Sequence, residues 1–154
     1  MTTETVRHPH RHRILVVCLG NHNRSPIAAA VLTQIGGDKV EVRSAGLRER
    51  HVGNPPHTNA VRAAAEEGYD IRDHRAVKVN GHMLDWADAV IAMDRAILAE
   101  LKEMTTGQPA AEKLDLFIQG EDVHDPWQDA YPVFKECVST IQAGAVRHLL
   151  DLGS

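Results

Sequence analysis

The chain has 154 residues, 43% of them hydrophobic and 25% charged, which is enough for one core built without disulfides or a structural metal. Two cysteines exclude a disulfide scaffold and a four-cysteine zinc site, and a formal charge of −4 argues against a general nucleic-acid binder. No apolar run approaches ~18 residues, so no membrane span is expected. Residues 1–12 are polar and His/Arg-rich and read as a solvated tail with no signal-peptide core. A single cytoplasmic domain is expected over 13–154.

In chain order, Ile14-Leu15-Val16-Val17 is a short continuous apolar run that suits a strand buried on both faces. A loop over 18–24 follows, and then Ser25-Pro26, which predicts a helix start with serine as the cap and proline as the first helical residue. Gly36-Gly37 stops that helix. Lys39–Arg43 alternates and predicts a second strand. Residues 44–59 are irregular, Ala60–Glu67 is helical up to Gly68, and Met83–Trp86 is a short polar helical stretch. Ala89–Ala92 reads as a third buried strand, Arg95–Met104 as a helix and Lys113–Ile118 as a fourth strand. From Pro132, apolar residues at helical spacing (Phe134, Cys137, Val138, Ile141, Ala145, Val146, Leu149, Leu150) predict a long closing helix. Strands alternating with helices define an α/β fold: a four-stranded parallel sheet, doubly wound, with helices on both faces.

The chemistry concentrates in Cys18-x5-Arg24-Ser25, a spacing that chance would supply about once in 80 chains of this composition. A loop between a buried strand and a helix start leaves backbone N–H groups, here of Leu19 to Asn23, free to converge on an anion. Cysteine in that field is favoured as thiolate and is a nucleophile. Arg24, six residues on, can fold back and offer two donors to a phosphoryl group. Gly20 lets the loop curl, and the Ser25 hydroxyl can donate to the sulfur. Together these parts specify thiol attack on a phosphate monoester. Such a reaction also needs an acid for the leaving oxygen and then a base for water. Asp122, Asp125 and Asp129 lie on one stretch, and Asp125 precedes Pro126, which forces it into an extended conformation. No metal or organic cofactor is required by this scheme.

The run Val16-Val17-Cys18-Leu19-Gly20-Asn21-His22-Asn23-Arg24-Ser25-Pro26 resembles the N-terminal signature of low-molecular-weight protein tyrosine phosphatases. Ser44-Ala45-Gly46, His51-Val52-Gly53, Gly68-Tyr69-Asp70, His74-Arg75-Ala76, Met93-Asp94 and Asp125-Pro126-Trp127 follow in family order and spacing. The resemblance implies a cysteinyl-phosphate intermediate, with Cys18 as nucleophile, Arg24 as transition-state clamp and Asp125 as general acid. It also implies a phosphate-binding loop of Leu19, Gly20, Asn21, His22, Asn23 and Ser25, and a supporting network that includes Ser44, His74 and Asp94.

Four departures from the family pattern stand out. Asn23 replaces the second loop cysteine, so no intra-loop disulfide can form, and Cys137 reads as core. His22 replaces an apolar residue or, in arginine phosphatases, a threonine, and it either points to solvent or brings an ionisable group into the pocket. At the rim, Arg50 and Trp127-Gln128 stand where relatives carry more aromatics, and Arg48 adds charge. Finally, Asn54-Pro55-Pro56-His57-Thr58 lacks an acidic residue. The chain has only six aromatic residues, two each of Trp, Tyr and Phe, so the substrate is either a phosphorylated protein or a small phosphorylated metabolite such as a nucleoside or sugar phosphate. Phosphoarginine is a third option. The competing classes are a non-catalytic oxyanion-binding module and an arsenate reductase, the latter disfavoured because Cys137 is the only other cysteine.

Overall fold

The computed structural model describes residues 10–150 and 152; most of the expected tail, residues 1–9, lies outside the described residues. Four strands, β1 (His12–Cys18), β2 (Val40–Gly46), β3 (Ala89–Ala92) and β4 (Leu114–Leu116), form one parallel sheet in the order β2-β1-β3-β4. The first strand begins at His12, inside the stretch expected to be tail, because His12 pairs with Val40 at the start of the β1–β2 ladder. Ile14 to Val17 are fully buried, as a central strand covered on both faces requires.

Among the described residues five α-helices complete the fold: α1 (Arg24–Gly36), α2 (Thr58–Glu66), α3 (Gly81–Trp86), α4 (Arg95–Met104) and α5 (Tyr131–Ala145). α1 packs against β2 and α5, α5 against α2, and α4 against β3 and β4. Phe117 and Phe134, both fully buried, are the largest core side chains.

Two local expectations are corrected. Ser25 is not a helix cap: α1 starts at Arg24, two residues earlier than expected, Asn23 occupies the cap position, and the Ser25 hydroxyl turns to Cys18. The closing helix is shorter than its apolar spacing predicts. It ends at Ala145 and continues only as a 3₁₀ turn over Val146–His148, where Arg147 pairs with Asp115 and His148 bonds the Phe117 carbonyl. Val146 and Leu150 are largely exposed.

The chain runs outward from the central strand β1 to β2 on one side and to β3 on the other. The carboxyl end of β1 is therefore the switch point where a doubly wound sheet opens a crevice. The loop over 18–24 emerges there.

Candidate active site

The loop after β1 is shaped by one left-handed residue and one glycine outside it. Asn21 has φ +55° and is fully buried, a conformation asparagine tolerates better than most residues. Its side chain ties the loop to α1, to β2 and to the segment at Val77. Nδ2 donates to Ser25 Oγ at 2.8 Å and to Ser44 Oγ at 2.9 Å, and Oδ1 accepts the Val77 N–H at 2.9 Å. The Asn21 carbonyl accepts from His74 Nε2 at 3.0 Å, and burial holds the His74 imidazole below its ordinary titration range. Gly46 lies against the loop so closely that a Cβ there would sit 2.8 Å from the Asn21 nitrogen. Leu47 and Arg48 N–H groups then bond the Cys18 and Leu19 carbonyls.

Cys18 is buried at the floor of the loop, with Sγ 2.9 Å from Ser25 Oγ and 3.2 Å from the Asn21 N–H. Because Asn21 Nδ2 donates to Ser25 Oγ, the Ser25 proton is free to point at the sulfur. Pro26 in the first turn of α1 has no N–H, and Asn23 makes no side-chain cap bond, so the N–H groups opening this helix stay uncapped.

Arg24 is 3% exposed and held by two hydrogen bonds and one longer ion pair. Nη1 donates to Asp94 Oδ2 and to the Val123 carbonyl, each at 2.7 Å, and Nη2 lies 3.7 Å from Asp125 Oδ2. Burial would depress the guanidinium, but the Cys18 sulfur, Asp94 and Asp125 outweigh it and raise its proton affinity. Asp94 divides its oxygens: Oδ1 caps α4 through the Ile97 N–H at 2.8 Å while Oδ2 holds Arg24. Arg24 Nε is buried and has no partner among the described residues.

Cys18, Leu19, Gly20, His22, Asn23, Arg24, Asp125 and Trp127 line one open cavity of about 510 Å³, with Arg48, Glu49, Arg50 and His51 completing its wall. Asp125 Oδ1 accepts the Trp127 N–H at 3.2 Å and faces Asn23 Nδ2 at 3.4 Å. The other two aspartates of that stretch are engaged elsewhere, Asp122 with Arg95 and Asp129 with His124. Ser44 and His74 stand behind the loop and do not line the cavity.

At the rim, Arg48 is paired with Glu100 through both nitrogens, at 2.5 and 3.0 Å, whereas Arg50 lies 5.8 Å over the Trp127 ring. His22 does not point to solvent. Its ring stacks on His51 at 3.9 Å with a 4° interplanar angle and meets His57 edge-on at 5.9 Å. Burial, then the neighbouring His51 and His57, push its pKa down from 6.5 to about 4, so it is neutral in the physiological range and adds no charge to the pocket. His57, part of the stretch without an acidic residue, caps α2 by accepting the Asn59 N–H on Nδ1 at 3.0 Å. Glu49, His51 and the Val123 carbonyl are members that sequence reasoning missed. A run of charged residues gives no sign of which one turns inward, and a backbone carbonyl has no residue signature. Cys137 is core as expected, with burial pushing its thiol up to about 12.

A Cys-x5-Arg loop at the carboxyl end of the central strand of such a sheet is the layout of a cysteine-dependent phosphatase. The chain belongs to the low molecular weight phosphotyrosine protein phosphatase family, whose model matches residues 13–152. It is 38% identical over 136 residues to a probable low molecular weight protein-tyrosine-phosphatase, EpsP, of Ralstonia nicotianae, covering 85% of this chain and 89% of that one. It is also 32% identical over 127 residues to a protein-arginine-phosphatase of Geobacillus stearothermophilus, covering 80% and 84%. Among solved structures, Wzb of Vibrio vulnificus in complex with benzylphosphonate superposes with a TM-score of 0.83 at 27% identity, covering 91% of this chain and 98% of that one. The expected fold and enzyme class are thereby established: this is a phosphoric monoester hydrolase of the cysteinyl-phosphate type.

Proposed function

We propose that the protein dephosphorylates phosphotyrosine in proteins, with Cys18 as nucleophile, Arg24 as phosphoryl clamp and Asp125 as acid and then base. The observation that carries this reading is the convergence of all three on one cavity, although Asp125 comes from 107–101 residues further along the chain than the loop. The Cys18 sulfur attacks phosphorus, the P–O bond to the aryl group breaks, and the Asp125 proton passes to the departing oxygen. Water then attacks phosphorus, the S–P bond breaks, Asp125 takes the water proton, and inorganic phosphate leaves. Arg24 meets the phosphoryl oxygens with the edge its partners leave open: Nη1 is occupied by Asp94 and Val123, while Nε–H is unpaired and Nη2–H lies beside it. The uncapped N–H groups at the start of α1 supply the remaining donors.

An aryl leaving group is supported by the flat and apolar surface of the wall, made of the His22–His51 stack with Leu19 and Trp127, both about half-exposed. The Vibrio vulnificus neighbour was solved in complex with benzylphosphonate, which carries a phenyl ring one carbon from its phosphorus. A nucleophilic thiol without a disulfide partner in its loop suits a reducing compartment, which supports work in the cytoplasm.

The test is kcat/KM on a panel of phosphotyrosyl and phosphoarginyl peptides and a nucleoside monophosphate. Phosphotyrosine is expected to lead by about tenfold or more, the order of discrimination one well-fitted wall supplies. Cys18→Ser should abolish turnover. Asp125→Ala should lower turnover of phosphotyrosine by about 10²-fold or more, with less effect on an activated aryl phosphate. Preference for phosphoarginine or the nucleotide would overturn the substrate assignment, and equal losses on all substrates in Asp125→Ala would overturn the acid.

A further inference from the structure

We infer that Asn23 is a positioning residue that holds Asp125 over the phosphate loop and directs which of its oxygens carries the proton. The inference rests on the reading of Asp125 as the acid.

Asn23 occupies the N-cap position of α1, where asparagine ordinarily turns its side chain onto the helix and accepts an N–H from its first turn. Here it makes no such bond. One of the two candidate partners is Pro26, which has no N–H. The side chain is instead turned across the loop, and Nδ2 points at Asp125 Oδ1 at 3.4 Å, 102 residues away in sequence. The orientation of the amide follows from chemistry: reversing it would set its oxygen against a carboxylate oxygen, while the observed one sets a donor there. Asn23 is 3% exposed and its Oδ1 is buried with no partner among the described residues. A buried unpartnered carbonyl is a cost, and it is borne on a residue whose other end reaches the acid.

The contact sorts the two oxygens of Asp125. Oδ1 receives two N–H groups, from the Trp127 backbone at 3.2 Å and from Asn23, whereas Oδ2 makes no hydrogen bond to a described residue and has only the longer ion pair to Arg24 Nη2 at 3.7 Å. An oxygen that already accepts two donors is a poor site for a proton, so the proton resides on Oδ2. That is the oxygen nearest the guanidinium clamp and hence the phosphoryl group. The Trp127 bond is local and travels with the Asp125 loop. The Asn23 bond ties Oδ1 of the acid to the same loop as the nucleophile, alongside the longer Arg24 ion pair on Oδ2.

The test is a double-mutant cycle on Asn23 and Asp125, read as kcat/KM with phenyl phosphate, a poor leaving group, and 2,4-dinitrophenyl phosphate, a leaving group that needs no acid. Asn23→Ala is expected to lower kcat/KM for phenyl phosphate about tenfold more than for the dinitrophenyl ester. In the Asp125→Ala background the Asn23→Ala change should cost nothing further on phenyl phosphate. Asn23→Leu, close in size but without the donor or any added charge, should reproduce the selective loss, and the affinity of each variant for inorganic vanadate reports whether the loop is intact. Equal losses on both esters, loss of vanadate binding in both Asn23 variants, or additivity with Asp125→Ala would each overturn the role of Asn23. If Asp125→Ala itself shows no leaving-group dependence, the acid reading fails first and the Asn23 inference falls with it. A selective loss in Asp125→Ala with none in either Asn23 variant rejects the inference alone.

Discussion

His22 shows how one side chain acquires a property its residue type does not announce. As a free imidazole it would titrate near 6.5; stacked on His51 and buried, it titrates at about 4. Between those two values the unfolded chain binds a proton that the folded chain refuses, so folding stability is full above about pH 6.5 and declines as pH falls toward 4. His74 and His148 are shifted in the same direction by burial. Replacing His22 with Asn removes one of these protons from the balance. The fall in Tm between pH 7 and 5 is therefore expected to be smaller in His22→Asn than in the unchanged protein, and identical falls would show that His22 is not held neutral. The sequence placed His22 in the loop but left its direction open. A stack between residues 22 and 51 depends on how the chain returns to the loop after β2, and no local pattern encodes that return. Cys18 and Arg24 were legible because their spacing is a local signature, and Asp94 only through the family resemblance carried by Met93-Asp94, its helix-cap position being visible in the structure alone.

At the scale of elements, the anion loop is supported by β2 as much as by its own residues. β1 and β2 pair up to Cys18 and Gly46, and the chain beyond Gly46 goes on bonding the loop carbonyls. Gly46 has no room for a side chain: a Cβ would stand 2.8 Å from Asn21 N and Gly20 C and 2.9 Å from Leu19 O, all backbone atoms that cannot swing away. Gly46→Ala is expected to cost ~1–3 kcal/mol of stability, the usual penalty for overpacking. It should also weaken phosphate binding, because the loop is what must move. Urea unfolding and phosphate titration measure the two, and an unchanged phosphate affinity would contradict the role assigned to β2. Elements with strong apolar runs or caps were legible close to their true limits; Ala89–Ala92 and Arg95–Met104 coincide with β3 and α4. The end of α5 was not. Its apolar spacing runs on past Ala145, but the polar pairs of Arg147 and His148 with the β4 region turn the chain into a 3₁₀ segment, and tertiary contacts override periodicity.

At the scale of the whole molecule, the site exists only because distant stretches meet at the carboxyl end of the sheet. Arg24 is held by Asp94, 70 residues on, and by the Val123 carbonyl, 99 residues on. The loop itself is braced from Ser44, His74 and Val77. The family and enzyme class follow from this arrangement together with the relatives, while the division of labour among the side chains is what experiment must decide. The most direct measurement is an acid quench of the enzyme during turnover of an aryl phosphate, with the phosphorylated residue located by peptide mass spectrometry. The expected result is a phosphate on Cys18, formed and consumed during turnover, and absent together with all activity in Cys18→Ser. Phosphate on any other residue, or turnover that persists in Cys18→Ser, would contradict it.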